Sequence, residues 1–188
     1  MPPEPTDEEV VRQTLADKER FAVLISRYEP KLTRYLRRLG VGVEEDREDV
    51  LQNAFLKAYR NLNSFDTDLS FSTWIYRITH NEAMSFFRRR KARPEVSLGE
   101  DEEAFRALLA DDAADTAASA ELRINGDAVK EALAALPEAE RDAITLRFFE
   151  DRSYAELSDI LEIPPGTVAT LLRRAKGRLR ERLEHHEP

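Results

Sequence analysis

Residues 153–183 have the sequence SYAELSDILEIPPGTVATLLRRAKGRLRERL, and this stretch decides the fold of the C-terminal part of the chain. Ser153 and Glu156 stand three residues apart, the spacing of a capping box, which predicts the start of a helix. Pro164 and Pro165 predict the end of that helix, because proline cannot continue it. A second helix is expected to begin at Thr167. The pattern therefore predicts a helix-turn-helix over residues 153–172.

The second of these helices has two chemically different faces. At 100° per residue, its apolar residues fall within about 120° of arc, and its cationic residues lie opposite. Arginine can bind phosphate or a guanine edge with two hydrogen bonds, so a cationic outer face indicates duplex DNA binding. On this pattern alone, an ordinary helical hairpin with a solvated face stays open. The candidate DNA contacts are Thr167, Thr170, Arg173 and Arg174.

Helical periodicity also runs through the first half of the chain. Apolar residues follow a helical spacing from Phe21 to Leu39, where Pro30 predicts either a kink or a new helix start. Thr6 and Glu9 have the spacing of another capping box and predict an earlier helix start. A further helix is expected over residues 49–62, and another from Ser72 into the Arg88 cluster. The apolar face of the helix at 49–62 is expected to contain Leu51, Ala54, Phe55, Ala58, Tyr59 and Leu62. No segment alternates with the period of a strand. We therefore predict an all-α protein with two small helical domains, the second containing the helix-turn-helix.

The net charge of −8 over 188 residues is concentrated in one segment. Residues 95–121 contain nine acidic side chains and one basic side chain, which gives 1 − 9 = −8. Such a segment, with Pro94 and Gly99 at its start, is typical of a linker. We therefore predict domains at residues 1–93 and 122–188, joined by a flexible acidic linker at residues 94–121.

The composition excludes several classes of protein. The chain contains no cysteine, which rules out disulfide frameworks and thiol nucleophiles. The acids around Glu44 and Asp49 have no neighbouring histidine and are better explained as a helix N-terminus than as a metal site. We expect no metal, no cofactor and no membrane contact, since no apolar run could span a bilayer and no signal peptide is visible. A cytoplasmic location is expected.

Two sets of motifs, in the expected order, resemble the bacterial extracytoplasmic-function (group 4) sigma factors of RNA polymerase. The C-terminal set is Pro165-Gly166-Thr167-Val168 with Arg174-Ala175-Lys176. The N-terminal set is Glu48-Asp49-Val50-Leu51-Gln52-Asn53-Ala54-Phe55, then Phe71-Ser72-Thr73-Trp74-Ile75-Tyr76-Arg77-Ile78-Thr79-His80-Asn81 and Arg88-Arg89. The resemblance covers about residues 20–93 and 127–183.

The resemblance implies a transcription initiation factor and not an enzyme. Such a factor binds core RNA polymerase, and its second domain recognises the minus-thirty-five promoter element as duplex. Its first domain recognises and opens the minus-ten element, and an anti-sigma protein usually covers both domains. The alternative is a stand-alone helix-turn-helix regulator that binds duplex DNA without polymerase. The helices predicted in the first half argue against that alternative.

The predicted helix at residues 49–62 has one large apolar residue, Leu56, on its polar face. A single exposed leucine is common, but here its neighbours match the family's polymerase-binding positions. The candidate polymerase contacts are Asp49, Gln52, Asn53, Leu56 and Arg60. Asn53 stands where the family often has Glu, which would change one polar contact.

The loop after this helix lies where the family captures an unstacked base of the minus-ten element. Stacking and hydrogen bonds to the base edge must offset the cost of unstacking. Phe65 is equally well explained as a core residue under the loop. Trp74 and Ile78 are expected in the core rather than at the DNA. Tyr76 and Phe87 are possible stacking surfaces. The candidate minus-ten contacts are Phe65, Asp66, Arg77, Asn81, Arg88, Arg89 and Arg90.

Besides Asn53, two further places depart from the family pattern. Ser85 stands where Asp is common, which affects a contact that positions the helix. Ala169-Thr170-Leu171 stands where the family commonly has Lys-Ser-Arg. The loss of two cations there predicts weaker autonomous binding to duplex DNA.

Overall fold

A computed structural model describes residues 4–66, 69–90 and 126–184. Within these residues the secondary structure is helical and no strand occurs, which confirms the all-α prediction. The α-helices are α1 (Asp7–Ala16), α2 (Phe21–Leu39), α3 (Glu44–Asn61), α4 (Phe71–Arg90), α5 (Gly126–Ala134), α6 (Glu138–Ile144), α7 (Tyr154–Leu161) and α8 (Pro165–Glu184).

The described residues form two compact units. Those of the first unit lie within Met1–Leu36 and Val43–Arg93, and those of the second within Arg37–Gly42 and Pro94–Pro188. The predicted acidic linker, with its boundaries at 93/94 and 121/122, lies outside the described residues. No helix of the described part is both long and apolar enough to cross a bilayer.

The first unit begins with a helix capped at its N-terminus. The Thr6 hydroxyl accepts from the Glu9 backbone N–H at 3.2 Å, and the Glu9 carboxylate accepts from the Thr6 N–H at 2.8 Å. In α2 the residues of the apolar stripe, from Phe21 to Leu39, are buried. Pro30 lies inside α2 and does not begin a new helix. The helix ends before Gly40, whose φ of 104° favours glycine.

Helices α3 and α4 pack against each other. The buried side of α3 contains Leu51, Ala54, Phe55 and Ala58. The helix begins at Glu44, five residues before the predicted start at Asp49, because the acidic side chains there belong to its first turn and interact favourably with the helix dipole.

In the second unit, α7 and α8 form the predicted helix-turn-helix. The Ser153 hydroxyl accepts from the Glu156 N–H at 3.3 Å and the Glu156 carboxylate accepts from the Ser153 N–H, which confirms the capping box. The second helix begins at Pro165 and not at Thr167. Proline is tolerated at the first helical position because the N–H that it lacks has no partner inside the helix.

The core of the second unit lies between α8 and the three helices α5, α6 and α7. Six residues were predicted for the apolar face of α8, and five of them are buried: Val168, Leu172, Ala175, Leu179 and Leu183. The sixth, Leu171, is half-buried. A single π-helical turn, Thr145–Phe149, follows α6 directly. Leu122, which we assigned to the first helix of this domain, lies outside the described residues.

Candidate nucleic-acid and protein interfaces

The outer face of α3 is exposed and contains every residue that we assigned to polymerase binding. Leu56 is 44% exposed although it is a large apolar residue. The amide of Asn53 donates to the Asp49 carbonyl oxygen at 2.8 Å, a bond within the helix. The five exposed residues of this face, called the Leu56 face below, are Asp49, Gln52, Asn53, Leu56 and Arg60.

Tyr59 extends this exposed surface, which the sequence did not predict. We placed Tyr59 on the apolar side of the helix, but it is 36% exposed. Its ring lies tilted against that of Phe21, with 5.2 Å between ring centroids. The signal in the sequence was its position three residues after Leu56, which places both side chains on neighbouring parts of the helix surface.

The loop after α3 is anchored by an aromatic cluster. Phe65 is only 9% exposed, and its ring centroid lies 4.8 Å from Trp74 and 5.7 Å from Phe71. In this arrangement Phe65 supports the loop from below, so the core alternative describes it and a base contact through its ring is not available. The next residue, Asp66, is exposed, as is Asn81 on α4.

The basic end of α4 contains three arginines in different environments. Arg88 donates to the Ser85 hydroxyl at 3.0 Å, so Ser85 still contacts the helix end where the family has Asp. Arg90 binds Asp46 of α3 at 2.7 Å, and its guanidinium lies 5.3 Å from the Phe86 ring centroid. Arg89 is exposed and makes no side-chain bond or ion pair with any residue that the structure describes.

Five further expectations concern the body of α4. Tyr76 is 1% exposed and Phe87 is 8% exposed, so they are core residues and not the stacking surfaces that we considered. Their positions follow from the packing of α4 on its neighbours, which wheel geometry alone did not give. Trp74 and Ile78 are half-buried. Arg77, one of the candidate minus-ten contacts, is half-buried.

On α8 the predicted DNA-facing residues are exposed, with one exception. Thr167, Arg173 and Arg174 are exposed, whereas Thr170 is half-buried. The Thr170 hydroxyl donates to the Gly166 carbonyl oxygen at 3.0 Å, within the same helix. Ala169 is exposed and Leu171 is half-buried. Of these two departures from the family pattern, only Ala169 therefore lies on the exposed surface of the helix.

Helix α6, which packs against α8, contains buried charged residues that the sequence did not reveal. Glu140, Arg141 and Asp142 of α6 are all buried. Glu140 forms an ion pair with Arg178 of α8, with 3.1 Å between Glu140 Oε2 and Arg178 Nε. Burial raises the pKa of Asp142 to about 7, although the charge of Arg141 opposes this. Three adjacent charged residues look like a solvated surface in a sequence, which concealed their burial.

Aromatic rings and cations meet at the edge of the helix-turn-helix. Lys176 lies 5.1 Å above the Phe148 ring centroid, and the Arg147 guanidinium lies 5.9 Å from that of Tyr154. Tyr154 is 47% exposed although we assigned it to the apolar set. Partial burial raises the pKa of Glu156, but hydrogen bonds from Ser153 and the charge of Arg152 outweigh it, so this pKa lies below its ordinary value.

The described acidic residues of the first unit do not gather into a metal site. Within residues 4–66, 69–90 and 126–184, no group of three or more His, Asp or Glu side chains could hold a metal ion. Asp46, the buried member of the acidic run, is bound to Arg90 instead.

Comparisons with known proteins address the whole chain. Residues 24–93 match the family model described as Sigma-70 region 2, and residues 126–179 match Sigma-70, region 4. The extracytoplasmic-function (ECF) RNA polymerase sigma factor SigW of Bacillus subtilis is 32% identical over 173 residues, which cover 89% of this chain and 90% of SigW. The ECF RNA polymerase sigma-E factor of Haemophilus influenzae is 36% identical over 191 residues, covering 95% and 96%.

The chain belongs to the ECF sigma factor family. Solved structures support this sigma factor fold. The structure of CnrH in complex with the cytosolic domain of CnrY has a TM-score of 0.69 at 24% identity, and covers 96% of this chain and 99% of that one. The sigma factor RpoE of Bartonella quintana, solved with the anti-sigma factor NepR, has a TM-score of 0.62 at 24% identity, covering 89% and 98%.

The two sigma regions divide the candidate interfaces between them. The Leu56 face, the loop around Asp66 and α4 lie in the region 2 match, and the helix-turn-helix lies in the region 4 match. Helix α1 precedes residue 24, where the region 2 match begins. The stand-alone regulator is not favoured, because it would have no need of a sigma region 2.

Proposed function

We propose that this sigma factor binds core RNA polymerase through the Leu56 face of α3 and directs transcription initiation at specific promoters. The observation that supports this proposal is an exposed leucine among four exposed polar residues on one helix face. An apolar anchor surrounded by polar groups is typical of a protein interface. The polymerase, in the bacterial cytoplasm, supplies the chemistry, so the sigma factor itself is not an enzyme.

The promoter contacts follow from the two exposed cationic surfaces. Arg173 and Arg174 on α8 are placed to bind the minus-thirty-five element as duplex, with Thr167 at the start of the helix. Arg88 and Arg89 are placed to follow the phosphates of the opening minus-ten element, and Asp66 and Asn81 to contact an unstacked base. Arg77 and Arg90 have weaker support, since the first is half-buried and the second is bound to Asp46.

Control by an anti-sigma protein is part of the same proposal. Both structural relatives described above were solved with a bound partner, and the partner NepR is described as an anti-sigma factor. An anti-sigma protein that covers the Leu56 face would compete directly with core polymerase.

The experiment compares two exposed leucines that receive the same substitution. Leu56→Glu should weaken binding to core polymerase at least about tenfold, because a carboxylate would replace an apolar contact at the interface. Leu15→Glu is the matched control, since Leu15 is 50% exposed and lies on α1, before the region 2 match begins. Both variants should melt at the wild-type temperature.

Binding is measured by fluorescence anisotropy of labelled sigma factor titrated with core polymerase. Loss of binding in Leu56→Glu with retention in Leu15→Glu supports the proposal. Equal affinities for wild type and Leu56→Glu would show that α3 does not bind polymerase through this face. A lower melting temperature in Leu56→Glu would show instead that Leu56 belongs to the core.

A further inference from the structure

Helix α1 caps helix α4 from 63 residues away in sequence. The Glu8 carboxylate of α1 accepts a hydrogen bond from the Phe71 backbone N–H, with 3.2 Å between Oε1 and N. Phe71 is the first residue of α4, where backbone N–H groups have no partner inside the helix. A carboxylate there satisfies one N–H and also interacts favourably with the helix dipole. The start of α4 is therefore fixed by a residue of another helix.

The local sequence covers only part of this helix start. The Ser70 hydroxyl accepts from the Thr73 N–H at 3.3 Å, and the Ser70 carbonyl accepts from the Trp74 N–H. Phe71 depends instead on Glu8. Because the Phe71 side chain is fully buried, a shift of its backbone would move a ring inside the core.

Helix α1 is itself held in place by the residue before Glu8. Asp7 accepts from the Arg27 guanidinium at 2.7 Å and from the Tyr28 hydroxyl. The Tyr28 ring packs edge-on against Phe71, with 5.4 Å between centroids. Both acidic residues therefore act on Phe71. Asp7 binds Tyr28, whose ring contacts the Phe71 ring, and Glu8 binds the Phe71 backbone.

The same aromatic residue anchors the loop that precedes α4. Phe65 packs edge-on against Phe71, with 5.7 Å between ring centroids, and lies tilted against Trp74 at 4.8 Å. The residue after Phe65 is Asp66, the exposed candidate for contacting an unstacked promoter base. The position of Asp66 therefore depends on Phe71 through one ring contact, and on Glu8 through Phe71.

We propose that Glu8 is a positioning residue for capture of the minus-ten strand, acting through the start of α4 and the aromatic cluster on Asp66. This inference rests on the proposed function, which assigns Asp66 and Asn81 to the minus-ten element. It extends the site to α1, which precedes the region 2 match. The physical basis is that a base-capturing loop works only when its polar groups are held in place before the DNA arrives.

Three variants separate positioning from general stability. Glu8→Ala removes the acceptor. It also removes one acidic side chain from the first turn of α1, a loss that the Glu9→Ala control shares. Glu8→Gln keeps an oxygen acceptor of the same reach and should preserve most of the effect. Glu9→Ala is the matched control, since the Glu9 carboxylate contacts Thr6 at the start of α1 and leaves Phe71 alone.

The assay uses holoenzyme assembled from core polymerase and each variant. The probe is a fluorescent single-stranded oligonucleotide of the non-template minus-ten strand, from a promoter selected by transcribing genomic fragments with wild-type holoenzyme. Glu8→Ala should bind it about five- to tenfold more weakly, as expected for loss of one hydrogen bond of typical net strength. Glu8→Gln and Glu9→Ala should stay within about twofold of wild type, and all variants should bind core polymerase equally.

The outcomes distinguish this inference from the proposed function. If wild-type holoenzyme does not bind the probe, the proposed function fails. If wild type binds and Glu8→Ala binds equally well, Glu8 has no positioning role. Equal losses in Glu8→Ala and Glu9→Ala would assign the effect to α1 as a whole and overturn the inference. Hydrogen exchange at the Phe71 amide supplies a direct check, since it should accelerate only in Glu8→Ala.

Discussion

Arg90 of α4 is bound to Asp46 of α3, with 2.7 Å between Nη1 and Oδ2. Asp46 is 7% exposed, so its carboxylate depends on this partner for much of its compensation. Arg88 and Arg89, the two preceding residues, make no such contact with α3 among the residues that the structure describes. The basic cluster therefore combines an arginine that is paired inside the fold with two that the proposed function assigns to DNA.

This division predicts different outcomes for neighbouring substitutions. Arg90→Ala should lower the free energy of unfolding by about 1 kcal/mol, because it leaves the Asp46 carboxylate without its cation. Arg89→Ala should leave stability unchanged and slow promoter melting. Urea unfolding measures the first effect and permanganate footprinting the second. A stability loss in Arg89→Ala as large as that in Arg90→Ala would contradict the division.

A premelted template tests the role of Arg88 and Arg89 further. If these arginines act during melting, a bubble that is already open should restore transcription by the Arg88→Ala and Arg89→Ala variants. Failure of the bubble to restore it would place their role at another step.

The same contrast exists on α8 between Arg174 and Arg178. Arg174 is exposed, whereas Arg178 is paired with the buried Glu140. Arg174→Ala should reduce the slope of log affinity against log salt for duplex upstream DNA by about 1, with no change in melting temperature. Arg178→Ala should instead lower the free energy of unfolding by about 1–3 kcal/mol, because a buried carboxylate loses its partner. Exchanged outcomes for the two variants would show that the face of α8 is assigned wrongly.

The departure at residues 169–171 gives a gain-of-function prediction. Ala169 is exposed on α8, so Ala169→Lys should raise affinity for duplex upstream DNA and steepen the salt dependence by about 1. Leu171 is half-buried, so Leu171→Arg should cost stability and add less affinity. Electrophoretic mobility shifts across salt concentrations measure both. If Ala169→Lys alters neither affinity nor salt slope, this side of α8 does not face DNA.

Asp142 predicts a specific pH dependence. Burial raises its pKa from 3.8 to about 7, so the folded state holds a proton that the unfolded state releases between these values. Stability contributed by this group therefore falls as pH rises from about 4 to 7 and then levels off. Asp142→Asn cannot ionise and should be increasingly stabilised relative to wild type over that range. Urea unfolding of both proteins from pH 5 to 8 measures the difference; a constant difference would contradict the raised pKa.

Local patterns predicted the helices well because the signals are local. Both capping boxes formed as expected, since the two residues of each stand three apart in sequence. The apolar arc of α8 was predicted for the same reason, and Leu56 was correctly placed outside. The predicted start of α8, Thr167, was two residues too late. Pro165 had been treated as a helix breaker, but it is the first residue of the helix.

Contacts between distant residues were not predictable from one sequence. Asp46 and Arg90 are separated by 44 residues, and Glu8 and Phe71 by 63, so no periodicity connects them. The burial of Phe65 and Tyr76 likewise depends on which helices pack together. A helical wheel gives the faces of one helix, but it does not say which partner covers them.

Run-off transcription with purified core polymerase tests directly whether this protein directs initiation at specific promoters. Genomic fragments are transcribed by core polymerase alone, with the wild-type protein, and with Leu56→Glu, and the transcript ends are sequenced. If the protein is a promoter-specific initiation factor, the wild type should add new start sites that share two spaced upstream elements. Leu56→Glu should add none. Transcripts identical to those of core polymerase alone, from a protein that is folded and pure, would contradict it.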